Sequence, residues 1–127
     1  TLFTQMNKAF SLNLSFEQTD LVFGAGNQVS NEYNFQFINQ YDTILCFFDY
    51  DLGGLKIFKA MRNKFGHKVK FLEPVSDNLE RFFVKKPKNQ QHYLKALEYA
   101  ENFGLNKLHQ LFEAKQSFME QEALLAL

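Results

Sequence analysis

The sequence predicts an α/β fold, in which a parallel sheet is flanked by helices and the C-terminal third is helical. Three observations support this prediction. Short apolar runs alternate with segments of helical periodicity, which is the pattern of parallel strands joined by right-handed crossover helices. The run at 43–48 contains a single polar residue, as expected for a strand buried on both faces of a sheet. After Pro74 the periodicity is helical only.

The predicted elements are bounded by residues that end regular structure. Gly66 ends a helix, because glycine readily adopts the left-handed conformation of a C-cap. Pro74 ends the last strand, since it has no N–H to donate to a sheet ladder. In chain order we predict a strand at 20–23, a helix from about 30 to 41, a strand at 43–48, a helix from 54 to about 65, a strand at 69–72, and helices at about 76–83, 89–103 and 105–125.

Length and composition fit one globular domain. The 127 residues can bury a sizeable core, which 16 phenylalanines and 5 tyrosines supply. We expect residues 1–127 to form a single domain and, because the chain begins at Thr1 without a methionine, to be a C-terminal fragment of a longer protein. Cys46 is the only cysteine, which excludes a disulfide framework or a zinc–cysteine cluster. Without a signal peptide or an apolar run long enough to span a bilayer, we expect a cytoplasmic protein with no membrane segment.

The charges are unevenly distributed, although the formal net charge is zero. Residues 56–88 contain ten Lys or Arg against three acids, a balance of +7, and the remainder of the chain carries −7. A basic segment beside an acidic site suits a phosphodiester substrate such as DNA. A solvated lysine-rich surface would explain the same count.

Asp49 and Asp51 are the strongest candidates for chemistry. They directly follow the apolar run, and side chains two apart on a strand point to the same side. Both are expected at the carboxyl edge of the sheet, where open α/β folds bind their ligands. Carboxylates this close repel each other unless a cation lies between them, and oxygen ligands favour a hard ion such as Mg²⁺ or Mn²⁺. The sequence therefore predicts a metal site.

Two pairs of glycines accompany these carboxylates. Gly24 and Gly26 lie between a predicted strand and a helix, and Gly53 and Gly54 follow Asp51. Glycines in such positions allow the backbone to approach a phosphate, which the N-terminus of the following helix then stabilises. Alone, either pair would be explained equally well by a tight turn.

The order of these motifs resembles a toprim domain, the Rossmann-like metal-binding unit of topoisomerases, primases and related nucleases. The similarity lies in the succession of a strand, the 24–26 glycine turn, a helix, a strand, the acidic and glycine pattern of 49–54, a helix and a strand. The segment 21–27 is similar to the corresponding stretch of the Wadjet plasmid-defence nuclease subunit. The segment 119–124 is similar to the Glu-Gln-rich helix that closes the toprim domain of that subunit and of the topoisomerase VI A-subunit.

The resemblance implies a function and a set of site residues. It implies that Asp49 and Asp51 bind Mg²⁺ or Mn²⁺ at the scissile phosphate, and that the glycines at 24, 26, 53 and 54 shape the adjoining loops. Glu120 or Glu122 would add a further carboxylate, and the residues alone do not choose between the two. The implied activity is metal-dependent DNA cleavage, by a homodimer or together with other subunits of a DNA-processing complex.

One departure from the toprim pattern keeps three alternatives open. The glutamate of the first toprim strand would fall near residues 4–6, yet residues 1–16 contain no acid. Either the glutamate lies upstream of Thr1 or the protein lacks it, and its loss would favour a catalytically inert toprim module that binds nucleic acid or a partner protein. A haloacid dehalogenase-type phosphatase also places an Asp-x-Asp motif after an apolar strand, but normally has Thr or Val where this chain has Gly53. A structural domain with an Asp- and Gly-rich turn is the third alternative.

Overall fold

A computed structural model describes residues 15, 18–20, 34–74 and 77–126. These residues form a mixed α/β arrangement with a small parallel sheet, four α-helices and three short 3-10 helices. The α-helices and strands are α1 (Phe35–Asn39), β1 (Ile44–Cys46), α2 (Leu52–Phe65), β2 (Val69–Phe71), α3 (Gln90–Asn102) and α4 (Asn106–Lys115), and the 3-10 helices are Gly66–Lys68, Asp77–Phe82 and Gln121–Ala126.

Strands β1 and β2 pair in parallel, and α2 connects them, as predicted from the alternation of strands and helices. In their register Ile44 lies opposite Val69 and Cys46 opposite Phe71. The expectation that β1 is buried on both faces is wrong, because Leu45 is 37% exposed. Apart from Asp20, the predicted strand at 20–23 lies outside the described residues.

Helix α2 begins two residues earlier than predicted, because Asp51 is its N-cap. The Oδ1 atom of Asp51 accepts the backbone N–H of Gly54 at 2.8 Å, which satisfies a donor that the helix itself leaves unpaired. The helix ends as predicted at Gly66, whose φ is +78°. The predicted apolar stripe of this helix is buried, and consists of Leu55, Phe58, Met61 and Phe65.

The C-terminal third is helical but interrupted, so the predicted continuous helix over 105–125 is wrong. Helix α4 ends at Lys115, and Gln116 takes a left-handed conformation with φ of 49°. The chain then reverses as an extended segment in which Phe118 and Met119 are buried. The burial of these two side chains outweighs the helical propensity of the segment, as tertiary contacts commonly do.

Aromatic side chains supply the core, as the composition predicts. Tyr50 stacks on Phe83 with ring centroids 5.8 Å apart, and Phe58 packs edge-on against Phe71 at 5.1 Å. Cys46 is buried beside them, and burial raises the pKa of its thiol to about 12. Such a thiol is unreactive at neutral pH, so its role is packing. None of the helices in the described ranges combines the length and the apolar character needed to cross a membrane.

Candidate functional site

After strand β1 the chain continues through Asp49, Tyr50 and Asp51. The buried side chain of Tyr50 fixes the backbone between the two aspartates. Its ring is fully buried, and its hydroxyl donates to the Leu72 carbonyl at 2.6 Å. Its backbone exchanges two hydrogen bonds with Met119, at 2.8 and 3.1 Å. Because alternate side chains of an extended chain point to opposite sides, the anchored tyrosine directs both neighbouring carboxylates away from the core.

Each of the two carboxylates accepts a backbone N–H. Asp49 Oδ1 accepts the N–H of Gln121 at 2.7 Å, and Asp51 Oδ1 accepts that of Gly54 at 2.8 Å. The two donors are far apart in the sequence, since one begins the C-terminal 3-10 helix and the other lies in the first turn of α2. These hydrogen bonds hold both carboxylates in defined orientations at the carboxyl end of β1.

Gly53 and Gly54 lie in the first turn of α2 rather than in a loop. A Cβ atom on Gly54 would lie 2.0 Å from the carbonyl oxygen of Asp49, which no side chain can tolerate. A Cβ atom on Gly53 would lie 3.4 Å from Asp51 Oδ1, an ordinary contact. Gly54 therefore allows the helix N-terminus to pack directly against the strand end, whereas Gly53 has no such constraint.

The carboxylates of the site share one electrostatic environment. The pKa of Asp49 is raised, first by burial and then by the negative charges of Asp51 and Glu122, while the Gln121 N–H and the Lys85 ammonium oppose the shift. Asp49 is therefore close enough to Asp51 and to Glu122 to be repelled by both. Carboxylates in this state favour any cation that can enter between them.

Lys85 is a site residue that the sequence analysis did not identify. Its Nζ atom lies 3.5 Å from Asp51 Oδ2 and 3.0 Å from Glu120 Oε1. These carboxylates raise the pKa of Lys85, with the hydrogen bond to Glu120 as the largest cause. Two backbone hydrogen bonds between Lys85 and Phe118, at 3.0 and 2.7 Å, fix this position. Lys85 is one of the ten Lys and Arg residues of 56–88, and only its pairing with the distant segment of Phe118 distinguishes it from the others.

The four acidic residues proposed from the sequence are related in pairs, because Asp51 and Glu120 share Lys85 and the charge of Glu122 acts on Asp49. The reversal after α4 brings the segment of Glu120 and Glu122 to the end of β1, although not on the continuous helix expected for it. The glycine turn of residues 24–26 lies outside the described residues.

The oxygen ligands at the end of β1 have the chemistry that a divalent metal ion requires. Carboxylate oxygens are the ligands that Mg²⁺ and Mn²⁺ prefer, so these residues fit such an ion chemically. In the described part of the chain, however, no three His, Cys, Asp or Glu side chains form a ready-made metal-binding group. The position between Asp51 and Glu120 holds the Lys85 ammonium instead. An ion could bind there only after this side chain moves.

One nearby acid has a structural role instead. Glu73 follows β2, yet its Oε2 atom accepts the backbone N–H groups of Lys107 at 3.0 Å and Leu108 at 3.3 Å. It therefore caps the N-terminus of α4 and connects that helix to the sheet. Both of these hydrogen bonds are made to the first turn of α4, so this carboxylate is engaged in the fold.

Comparison with known proteins gives a family for the chain. The family described as "Wadjet protein JetD, C-terminal" matches residues 4–126. No curated protein and no solved structure matches the chain. The match confirms the relation to the Wadjet plasmid-defence system that segments 21–27 and 119–124 indicate, whereas the toprim assignment stays a prediction. Because the match covers almost the whole sequence, this chain belongs to the family of Wadjet JetD C-terminal domains.

Proposed function

We propose that this chain is the toprim-like nuclease domain of a plasmid-defence protein and cleaves DNA with the help of Mg²⁺ or Mn²⁺. The observation that carries the proposal is the position of Asp49 and Asp51 after β1, where Asp51 shares Lys85 with Glu120 and the charge of Glu122 acts on Asp49. Membership of the Wadjet JetD family supports a role in plasmid defence. It also supports action together with other subunits of a Wadjet complex.

The residues of the strand tip would have distinct roles in this reaction. Asp49 and Asp51 would bind the ion, and Glu120 or Glu122 would add a further oxygen ligand. A divalent ion held there supplies charge neutralisation at the phosphate and lowers the pKa of a bound water. Tyr50 contributes by anchoring the backbone between the two aspartates, so that both carboxylates stay directed to the substrate side.

Basic residues near the site would bind the DNA backbone. Lys56 and Lys59 are exposed on α2, whose N-terminus lies at the strand tip, and Lys86 and Lys88 are exposed beside Lys85. Contacts from such side chains to phosphates position a duplex without reading its sequence. We therefore expect cleavage with little base specificity and with affinity that falls steeply as salt increases.

The test is cleavage of plasmid DNA by the intact protein with its natural partners. Asp49→Asn and Asp51→Asn remove the charges but keep an oxygen that can accept the Gln121 and Gly54 N–H groups. We expect each to lower the Mg²⁺- or Mn²⁺-dependent cleavage rate by at least about 100-fold, since even indirect partners of metal ligands are worth 10- to 100-fold.

Asp42→Asn is the matched control, because Asp42 is an exposed acid in the turn before β1 and remote from the described site contacts. It should cleave at the wild-type rate. Undiminished cleavage by the Asp49→Asn, Asp51→Asn double variant would exclude the proposal.

A second candidate function is a module that binds DNA or a partner protein without catalysis. The Lys85 ammonium between Asp51 and Glu120 favours it, because this ion pair satisfies both carboxylates without a metal. The lack of any acid in residues 1–16 favours it as well. Calorimetric titration with Mn²⁺ separates the two candidates, since a purely binding module would give no heat that depends on Asp49 and Asp51.

A further inference from the structure

The position of Lys85 has a consequence for metal binding. Its backbone is fixed by the two hydrogen bonds to Phe118, and its ammonium lies between carboxylates from two separate segments. The side chain itself is 44% exposed, so solvent and ions reach it. A lysine has a flexible four-carbon stem, and its head can therefore leave the carboxylates while the backbone stays in place.

A divalent ion and this ammonium cannot occupy the same place. A Mg²⁺ ion lies about 2.0–2.1 Å from its oxygen ligands and keeps a near-octahedral shell, for which the space beside Asp51 Oδ2 must be cleared. The two cations also repel each other at such separations. An ion that binds Asp51 and Glu120 must therefore displace Lys85.

We propose that Lys85 is an internal counter-cation, which holds Asp51 and Glu120 together until a divalent ion replaces it and which then becomes available to a phosphate of the bound DNA. The inference rests on the proposed function, because it assumes that Asp51 is a metal ligand. Lys85 is in this view a positioning residue. It keeps the C-terminal segment against the strand tip before the ion binds.

The first test is the affinity for Mn²⁺ in the absence of DNA, measured by calorimetry. Lys85→Met keeps the length of the side chain and removes the competing charge. We expect it to lower the Kd for Mn²⁺ by at least about fivefold, the lower end of the range typical of coupled binding equilibria. Lys95→Met, at an exposed lysine on α3, is the control and should bind Mn²⁺ as the wild type does. An unchanged or weaker affinity of Lys85→Met would overturn the inference.

A second measurement needs no variant. In the wild-type protein, amine-specific labelling followed by mass spectrometry compares Lys85 with Lys86 before and after Mn²⁺ is added. Labelling of Lys85 should be slow relative to Lys86 without the ion, and should accelerate when the ion is bound. A rate at Lys85 that does not respond to a saturating Mn²⁺ concentration would contradict displacement, even if Lys85→Met does not fold.

Failure of the inference is distinguishable from failure of the proposed function. If the wild type and Asp51→Asn give the same Mn²⁺ titration, the metal site itself is refuted. If Asp51→Asn loses binding while Lys85→Met binds no more tightly than the wild type, the metal site stands and the role of Lys85 is refuted.

Discussion

Tyr50 separates Asp49 from Asp51, and its anchoring decides which way both carboxylates point. The ring is stacked on Phe83 and the hydroxyl is bound to the Leu72 carbonyl, so the backbone at this position has little freedom. The alternation of side chains along an extended segment is sufficient to predict that the two carboxylates lie on the same side. The hydrogen bond from the Gln121 N–H to Asp49 depends on a segment 72 residues away, so local patterns could not predict it.

Asp49 makes stability depend on pH in a direction that can be tested. Its pKa is raised above the ordinary value of 3.8, chiefly by burial, so folding disfavours the ionised form. The wild type should therefore gain stability from this group as the pH falls from neutral through the raised pKa. Asp49→Asn should melt at a higher temperature than the wild type at neutral pH, and the difference should vanish below 3.8.

The measurement is thermal unfolding of both proteins across this pH range in metal-free buffer. Asp42→Asn, at an exposed acid, is the control and should follow the wild-type profile. A lower melting temperature for Asp49→Asn at neutral pH would show that ionised Asp49 stabilises the fold.

At the scale of single elements, helix α2 begins two residues before its predicted start, although the sequence contains the signal for that start. Asp51 directly before an apolar periodic segment is an N-cap signal, and the glycine pair after it obscured that signal. The sequence predicts a phosphate-binding or loop role for this glycine pair, and the structure places both in the first turn of α2, with Gly54 packed closely against the Asp49 carbonyl. The end of the helix was predictable, because Gly66 has the positive φ that glycine adopts without strain.

Substitution by alanine should affect stability differently at Gly53 and at Gly54. Gly54→Ala should destabilise the protein by about 1–3 kcal/mol or more, the range for overpacking, because its Cβ would overlap the Asp49 carbonyl. Gly53→Ala should leave stability unchanged or raise it by up to about 1 kcal/mol through helix propensity. Urea unfolding of both variants is the measurement. Equal effects at the two positions would contradict the close approach at Gly54.

At the scale of the whole molecule, the site combines segments that are far apart in sequence. The strand tip at 49–51, Lys85 and the segment 118–122 are joined by the antiparallel pairing of Met119 with Tyr50 and of Phe118 with Lys85. Helical and strand periodicities are local signals, so they could predict the parallel β1–α2–β2 unit but not this pairing. Because helical periodicity is a local signal, it predicts a single helix over residues 105–125 and gives no sign of the reversal at Gln116.

The reversal at Gln116 brings the C-terminal segment to the site. Substitution of this residue should change the stability of the protein. A left-handed conformation costs a residue other than glycine about 1–2 kcal/mol, and Gln116 has a φ of 49°. Gln116→Gly should therefore stabilise the protein. Gln110→Gly, an exposed position inside α4, should instead destabilise it by about 1 kcal/mol. Urea unfolding compares the two, and a loss of stability in Gln116→Gly would contradict a reversal at this residue.

The buried thiol of Cys46 gives the protein an internal reporter of unfolding. The Cys46 thiol has a pKa near 12 and is buried. A reagent can therefore modify it only when the β1–β2 pair separates from the surrounding core. Because the chain has one cysteine, every alkylation event identifies that opening without ambiguity. Alkylation kinetics in rising urea would therefore show whether the sheet opens alone or only when the entire domain unfolds.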